Sequence, residues 1–177
     1  MNVRTLGVAV VATATMAATP AVSSAVTTST SKPNIDILGG ASFKANRYIR
    51  DEMRFSKDVY RLKSGTTIQI RSKTPGEPHT VSVVRRADFP KTVKGFETCF
   101  TEGACGKLGQ AHGFPEGDGP PTTPLVNAGK TGFDQRSDSI VIGPGDKGSV
   151  KLTATKGKTL HLLCIIHPWM QARIVVR

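Results

Sequence analysis

The sequence predicts an all-β fold, an eight-stranded Greek-key β-sandwich interrupted by one long loop insertion. Three observations carry this. Short runs rich in β-branched residues recur between polar turns such as Lys63-Ser64-Gly65 and Gly143-Pro144-Gly145-Asp146. Two of the runs alternate strictly, with Ile68 and Ile70 against Gln69 and Arg71, and Val150, Leu152 and Ala154 against Lys151 and Thr153. Long helical patterns are scarce, while Gly (18) and Pro (11) are plentiful among the 177 residues. Several short strands with turns between them bury best as two packed sheets.

Taken in order, residues 1–25 read as a secretory signal. Arg4 gives a positive start, Leu6–Ala18 is an apolar run too short to span a bilayer, and Ser23-Ser24-Ala25 offers small residues for cleavage. The chain is therefore expected to be secreted or extracytoplasmic, with no transmembrane anchor. Residues 26–42, opening on a Ser/Thr-rich run, read as a flexible linker. The folded domain is expected over 43–177.

Eight strands are expected: Arg47–Phe55, Asp58–Leu62, Thr66–Ser72, His79–Arg85, Ser139–Ile142, Gly148–Ala154, Thr159–Cys164 and Ala172–Val176. Between the fourth and fifth lies the insertion, Arg86–Asp138, rich in Gly and Pro, with one short helix expected near Glu102–Ala111. Its Cys99 and Cys105 have five residues between them, a spacing that can close a small ring in an oxidising compartment. Pairing them leaves Cys164 alone, as a partner-seeking thiol or a metal ligand.

The charge balance, 24 basic against 13 acidic residues, gives +11. Cleavage after Ala25 would remove Arg4 and leave +10. The basic residues are scattered, without an Arg-rich helix or an aromatic base-stacking motif, so nucleic acid is not the expected partner. A field of this sign favours acidic proteins, cell-wall polymers or anionic membrane surfaces.

The chemistry concentrates at the C-terminal end. Cys164, His167 and Met170 are spaced C-x2-H-x2-M where one apolar strand ends and the next begins. A thiolate, an imidazole and a thioether, completed by one more His, form the donor set of a blue-copper centre. His79, opening an apolar strand after Glu77-Pro78, is the candidate for that fourth ligand. Singly, each residue reads as core packing; together they point to one type 1 copper per chain. His161 alternates away from this point. His112 is read as a solvent-facing loop residue.

The segment Cys164-Ile-Ile-His167-Pro-Trp-Met170 resembles the ligand loop of the cupredoxins, the plastocyanin/azurin family, most nearly the short-loop amicyanin and pseudoazurin type. Pro78-His79-Thr80-Val81 resembles that family's first-ligand strand. The resemblance covers Arg47–Arg85 and Ser139–Arg177, and implies an eight-stranded sandwich and one-electron transfer between Cu(I) and Cu(II). It also implies a redox protein partner, acidic given the net charge. Electrons would leave through His167, Pro168 and Trp169, with an imidazole edge at the surface. The insertion and its cysteine pair depart from the small members. A copper carrier or store could use the same four ligands. An enzyme is not expected: multicopper sites need more His than His112 and His161 supply, and a dinuclear site needs a second Cys in the loop. Gly129-Lys130-Thr131 and Gly157-Lys158-Thr159 lack the upstream Gly of a phosphate loop and read as turns.

Overall fold

The computed structural model describes residues 33–115 and 119–177; residues 1–25, read above as a secretory signal, and residues 26–32 lie outside them. The elements run β1 (Asn34–Leu38), β2 (Ala41–Lys44), β3 (Tyr48–Asp51), β4 (Arg54–Phe55), β5 (Val59–Leu62), β6 (Thr67–Ser72) and β7 (His79–Val84). A 3-10 turn at Arg86–Asp88, then α1 (Val93–Thr101) and α2 (Ala104–His112), precede β8 (Leu125–Val126), β9 (Ser139–Ile142), β10 (Lys147–Lys151), β11 (Thr159–Leu163) and β12 (Gln171–Val176).

Two sheets form the sandwich, one ordered β10-β6-β1-β4 and the other β5-β12-β11-β7-β9-β8. Period-two alternation sets which side chains meet between them. Ile68 and Ile70 of β6 point inward while Gln69 and Arg71 stay half-exposed; Ala172, Ile174 and Val176 of β12 do the same. They join Ile35, Ile37, Val81, Val83, Leu160 and Leu162 in one core.

The sandwich is as expected, but the chain is cut differently. Among the described residues there are twelve strands, not eight. Residues 34–42, assigned above to the linker, contain β1 and the first half of β2. Ile35 and Ile37 are fully buried, and β1 runs parallel to β6 in the interior of its sheet. A second parallel pair joins β12 to β5. The single strand expected over Arg47–Phe55 divides: β3 pairs only with β2, whereas β4 joins β1 across the Ile37–Phe55 pairing. The break follows from Met53, which turns into the core between exposed Glu52 and Arg54.

The insertion holds two helices rather than one. Thr92 caps α1 by accepting the Gly95 N–H at 3.1 Å, and α2 ends at Gly113 in the left-handed conformation (φ 62°) that glycine adopts without strain. A Cys99–Cys105 disulfide joins them, as the spacing predicts. Cys99, Ala104, Cys105 and Leu108 pack on Val84, Leu163 and Ile165. The helices thus cover the part of the larger sheet's outer face around Val84 and Leu163. This cover explains why β7 is buried at all six positions: its odd residues face the sandwich and its even ones lie under the insertion.

Candidate metal centre

Antiparallel pairing of β7 with β11 brings His79 near the residues that follow Leu163. Just past β11, the loop closes through two backbone bonds: the Met170 N–H donates to the His167 carbonyl at 2.8 Å, and the Cys164 N–H to the Met170 carbonyl at 3.1 Å. A loop pinned at both ends turns its side chains toward one point.

The donor atoms of His79, Cys164 and His167 lie within 4.8 Å of one another, and all three residues are buried. His79 Nδ1 is 3.2 Å from His167 Nδ1, which is 3.7 Å from Cys164 Sγ. Bond lengths of about 2.0 Å to nitrogen and 2.3 Å to sulfur set the donors of a trigonal metal site roughly 3.5–3.7 Å apart. The two separations from His167, 3.2 and 3.7 Å, lie close to that spacing, so the residues fit a single soft or borderline metal ion. Met170 is buried to 1% exposure and shares the core with Cys164.

Each ring is held by its other nitrogen. His79 Nε2 lies 2.6 Å from Thr74 Oγ1, and Thr74 is fixed by Ser72 Oγ at 2.9 Å. His167 Nε2 lies 2.6 Å from Glu77 Oε2. A carboxylate only accepts, so Nε2 carries a proton, which leaves Nδ1 facing His79 and Cys164. The Thr80 N–H donates to Cys164 Sγ at 3.3 Å.

The electrostatics suit a thiolate. Burial alone pushes the Cys164 thiol up, but His167, His79 and the Thr80 N–H outweigh it and bring its pKa down to about 6. Burial likewise disfavours the His167 imidazolium; Cys164 and Glu77 overcome this and raise it.

A second line of polar groups runs beneath the insertion. Thr80 Oγ1 accepts from the Ile165 N–H (2.9 Å) and from Ser82 Oγ (2.9 Å). Ser82 meets Ser139 Oγ at 2.6 Å, and Ser139 meets His112 Nε2 at 2.7 Å. The ring's other nitrogen faces the Thr123 carbonyl at 2.6 Å. His112 is fully buried, which corrects its reading as a solvent-facing loop residue. The signal was present: Cys105, Leu108 and His112 fall on one face at helical spacing. His161 points away, its ring edge-on to Phe89 at 5.6 Å. Thr74, Thr80, Ser82 and Ser139 carry no sequence signal, because small hydroxyl residues in strands and the turns between them are common. Glu77 did carry one, as a charge two positions before a ligand.

His167 is only 5% exposed, and Pro168 is buried. The imidazole edge expected at the surface is covered by Glu77. Trp169 is 42% exposed, edge-on to His167 at 5.3 Å and stacked on Phe96 of α1 at 5.7 Å. The insertion therefore supplies half of the aromatic patch over this end.

No protein-family model matches the chain, and no curated protein does. Solved structures similar to it are cupredoxins. Amicyanin from Paracoccus versutus matches with 10% identity and a TM-score of 0.40, over 84% of this chain and 83% of its own. An amicyanin variant in the Cu(I) state matches with 10% identity and a TM-score of 0.41, over 82% and 81%. Auracyanin B matches with 16% identity and a TM-score of 0.40, over 82% and 88%.

Proposed function

We propose that this chain is an exported type 1 copper protein that carries single electrons. The observation behind the reading is the spacing of three buried donors of matched softness, two imidazole Nδ1 atoms and one thiolate. His79, Cys164 and His167 would hold one copper ion, with Met170 as a further, thioether donor. When bound, copper supplies a one-electron couple.

The chain's own residues do the rest. Thr74 and Glu77 fix the two rings from outside, and β7 and β11 fix the backbone, so the donors need not move between oxidation states. The Thr80 N–H draws charge from the Cys164 sulfur. A shell with His79 and Cys164 at 0% exposure keeps water out and opposes rapid release of the ion, which favours electron transfer over copper delivery. Trp169, exposed and touching His167, fits an exit toward a redox partner. The segment 1–25 supports export.

The test is the visible spectrum of the purified protein titrated with Cu(II). One equivalent should produce an intense blue colour, and Cys164→Ser should abolish it, since that band arises from the thiolate. A colourless wild type, or a blue Cys164→Ser variant, overturns the reading.

A further inference from the structure

The β2–β3 hairpin contributes nothing to either sheet, and every residue from Ala41 to Arg50 is exposed. Strand register puts Phe43 opposite Ile49. Side chains directly opposite share a face, so these two form one apolar pair, exposed to 73% and 79%. The reverse face carries Lys44, Tyr48 and Arg50, with the Arg50 guanidinium 5.4 Å over the Tyr48 ring. Arg47 closes the turn, its N–H donating to the Lys44 carbonyl at 3.0 Å. The nearby acids sit at the base and are engaged: Asp51 Oδ1 accepts the Met53 N–H at 2.7 Å, and Glu52 lies 3.9 Å from Arg50.

The hairpin is anchored at the end that holds the candidate metal ligands. Ile37 of β1 stands opposite Ser72 of β6, and the Lys73 N–H donates to the Ile37 carbonyl at 2.9 Å. Ser72 and Thr74 then lead directly to His79. The chain therefore leaves β1 for the hairpin beside the metal centre. Its root is fixed, since Gly39 (φ 102°) lies against the Glu52 carbonyl with no room for a Cβ, and the Glu52 N–H donates to Gly40 at 3.0 Å.

We propose that this hairpin docks the metal-bearing end of the protein on an anionic lipid bilayer. A flush apolar pair suits the acyl boundary, a tyrosine suits the headgroup level, and Lys44 and Arg47 at the tip, with Arg50 nearer the base, suit lipid phosphates. The net charge of +11 has the matching sign. No buried polar group or shaped recess on the ribbon calls for the directional contacts of a protein groove. The proposal does not depend on copper, because every residue in it lies outside the metal centre.

The experiment is co-sedimentation of the purified protein with phosphatidylcholine vesicles, with and without phosphatidylglycerol, at low and high salt. Binding should require phosphatidylglycerol and weaken as salt rises. Phe43→Ser/Ile49→Ser should lower the affinity on the order of tenfold or more, while its thermal unfolding matches wild type, as both side chains lie outside the core. Lys44→Gln/Arg47→Gln/Arg50→Gln should abolish the lipid preference. Phe43→Trp should give fluorescence that shifts blue on adding the mixed vesicles. Absence of binding, or unchanged binding by the apolar double variant, overturns the proposal. So does a concentration-dependent dimer of the free protein that the double variant dissolves, since a second copy would then be the occupant.

Discussion

Replacing Ile37 by alanine measures whether β1 belongs to the core. Ile37 is fully buried, with Phe55 of β4 on one side and Ser72 of β6 on the other. The substitution removes three carbons from the interior, or about 2.4 kcal/mol of transfer free energy at roughly 0.8 kcal/mol per methylene. A neighbour on each side limits collapse into the gap, so a cavity cost adds to this. The expected total is about 3–4 kcal/mol, inside the range of about 2–5 kcal/mol for buried isoleucine truncations. In a folded unit of this size it lowers Tm by roughly 6–16 °C. Guanidinium unfolding of the metal-free protein, followed by circular dichroism, supplies the free energy. Ile49→Ala is the control: at 79% exposure on the hairpin it should cost no more than about 0.5 kcal/mol. An Ile37→Ala cost below about 1 kcal/mol, or equal to that of Ile49→Ala, would refute β1 as a core strand and return residues 34–42 to the linker.

The Cys99–Cys105 bridge closes a short loop, with a sequence separation of 6. Cys99→Ala/Cys105→Ala should cost about 2–3 kcal/mol on the loop-entropy model; an unchanged unfolding midpoint would speak against it. The Arg71 hydrogen bond holds the Asp36 carboxyl below its ordinary range, tying β1 to β6 at 2.6 Å. A depressed carboxylate stabilises the fold above its unfolded pKa of about 3.9 and loses that contribution as pH falls through the lower folded value. The stability gap between wild type and Asp36→Asn should therefore shrink below about pH 4, and a gap independent of pH contradicts the pairing. Trp169→Ala should slow electron exchange with an acidic redox partner in stopped-flow measurements, leave the copper spectrum nearly unchanged, and reduce the salt dependence little, because the cations remain. Equal rates in wild type and variant would place the exit elsewhere.

What the sequence determined alone is local. Period-two alternation in residues 67–72 marked β6, because side-chain direction in a strand follows from chain geometry, whereas the alternation over 150–154 overran β10, which ends at Lys151. The three-residue steps from Cys164 to His167 to Met170 put the donors in one loop, and the loop itself is held by bonds among those same residues. The Cys99–Cys105 pairing was readable because a short loop closes readily. Tertiary structure decided whatever depends on a surface supplied from far along the chain. Ile35 and Ile37 sit in a segment too short and too polar-flanked to announce a strand; they are buried only because β6, more than thirty residues on, offers its edge. His112 is buried because α2 packs beside β8 and brings its ring against Ser139 of β9. His167 is covered because Glu77, ninety residues earlier, reaches its outer nitrogen, and Trp169 finds Phe96 only once the insertion folds back over the sheet. Sequence periodicity records which way a side chain points; what it meets there is a property of the packed sheets.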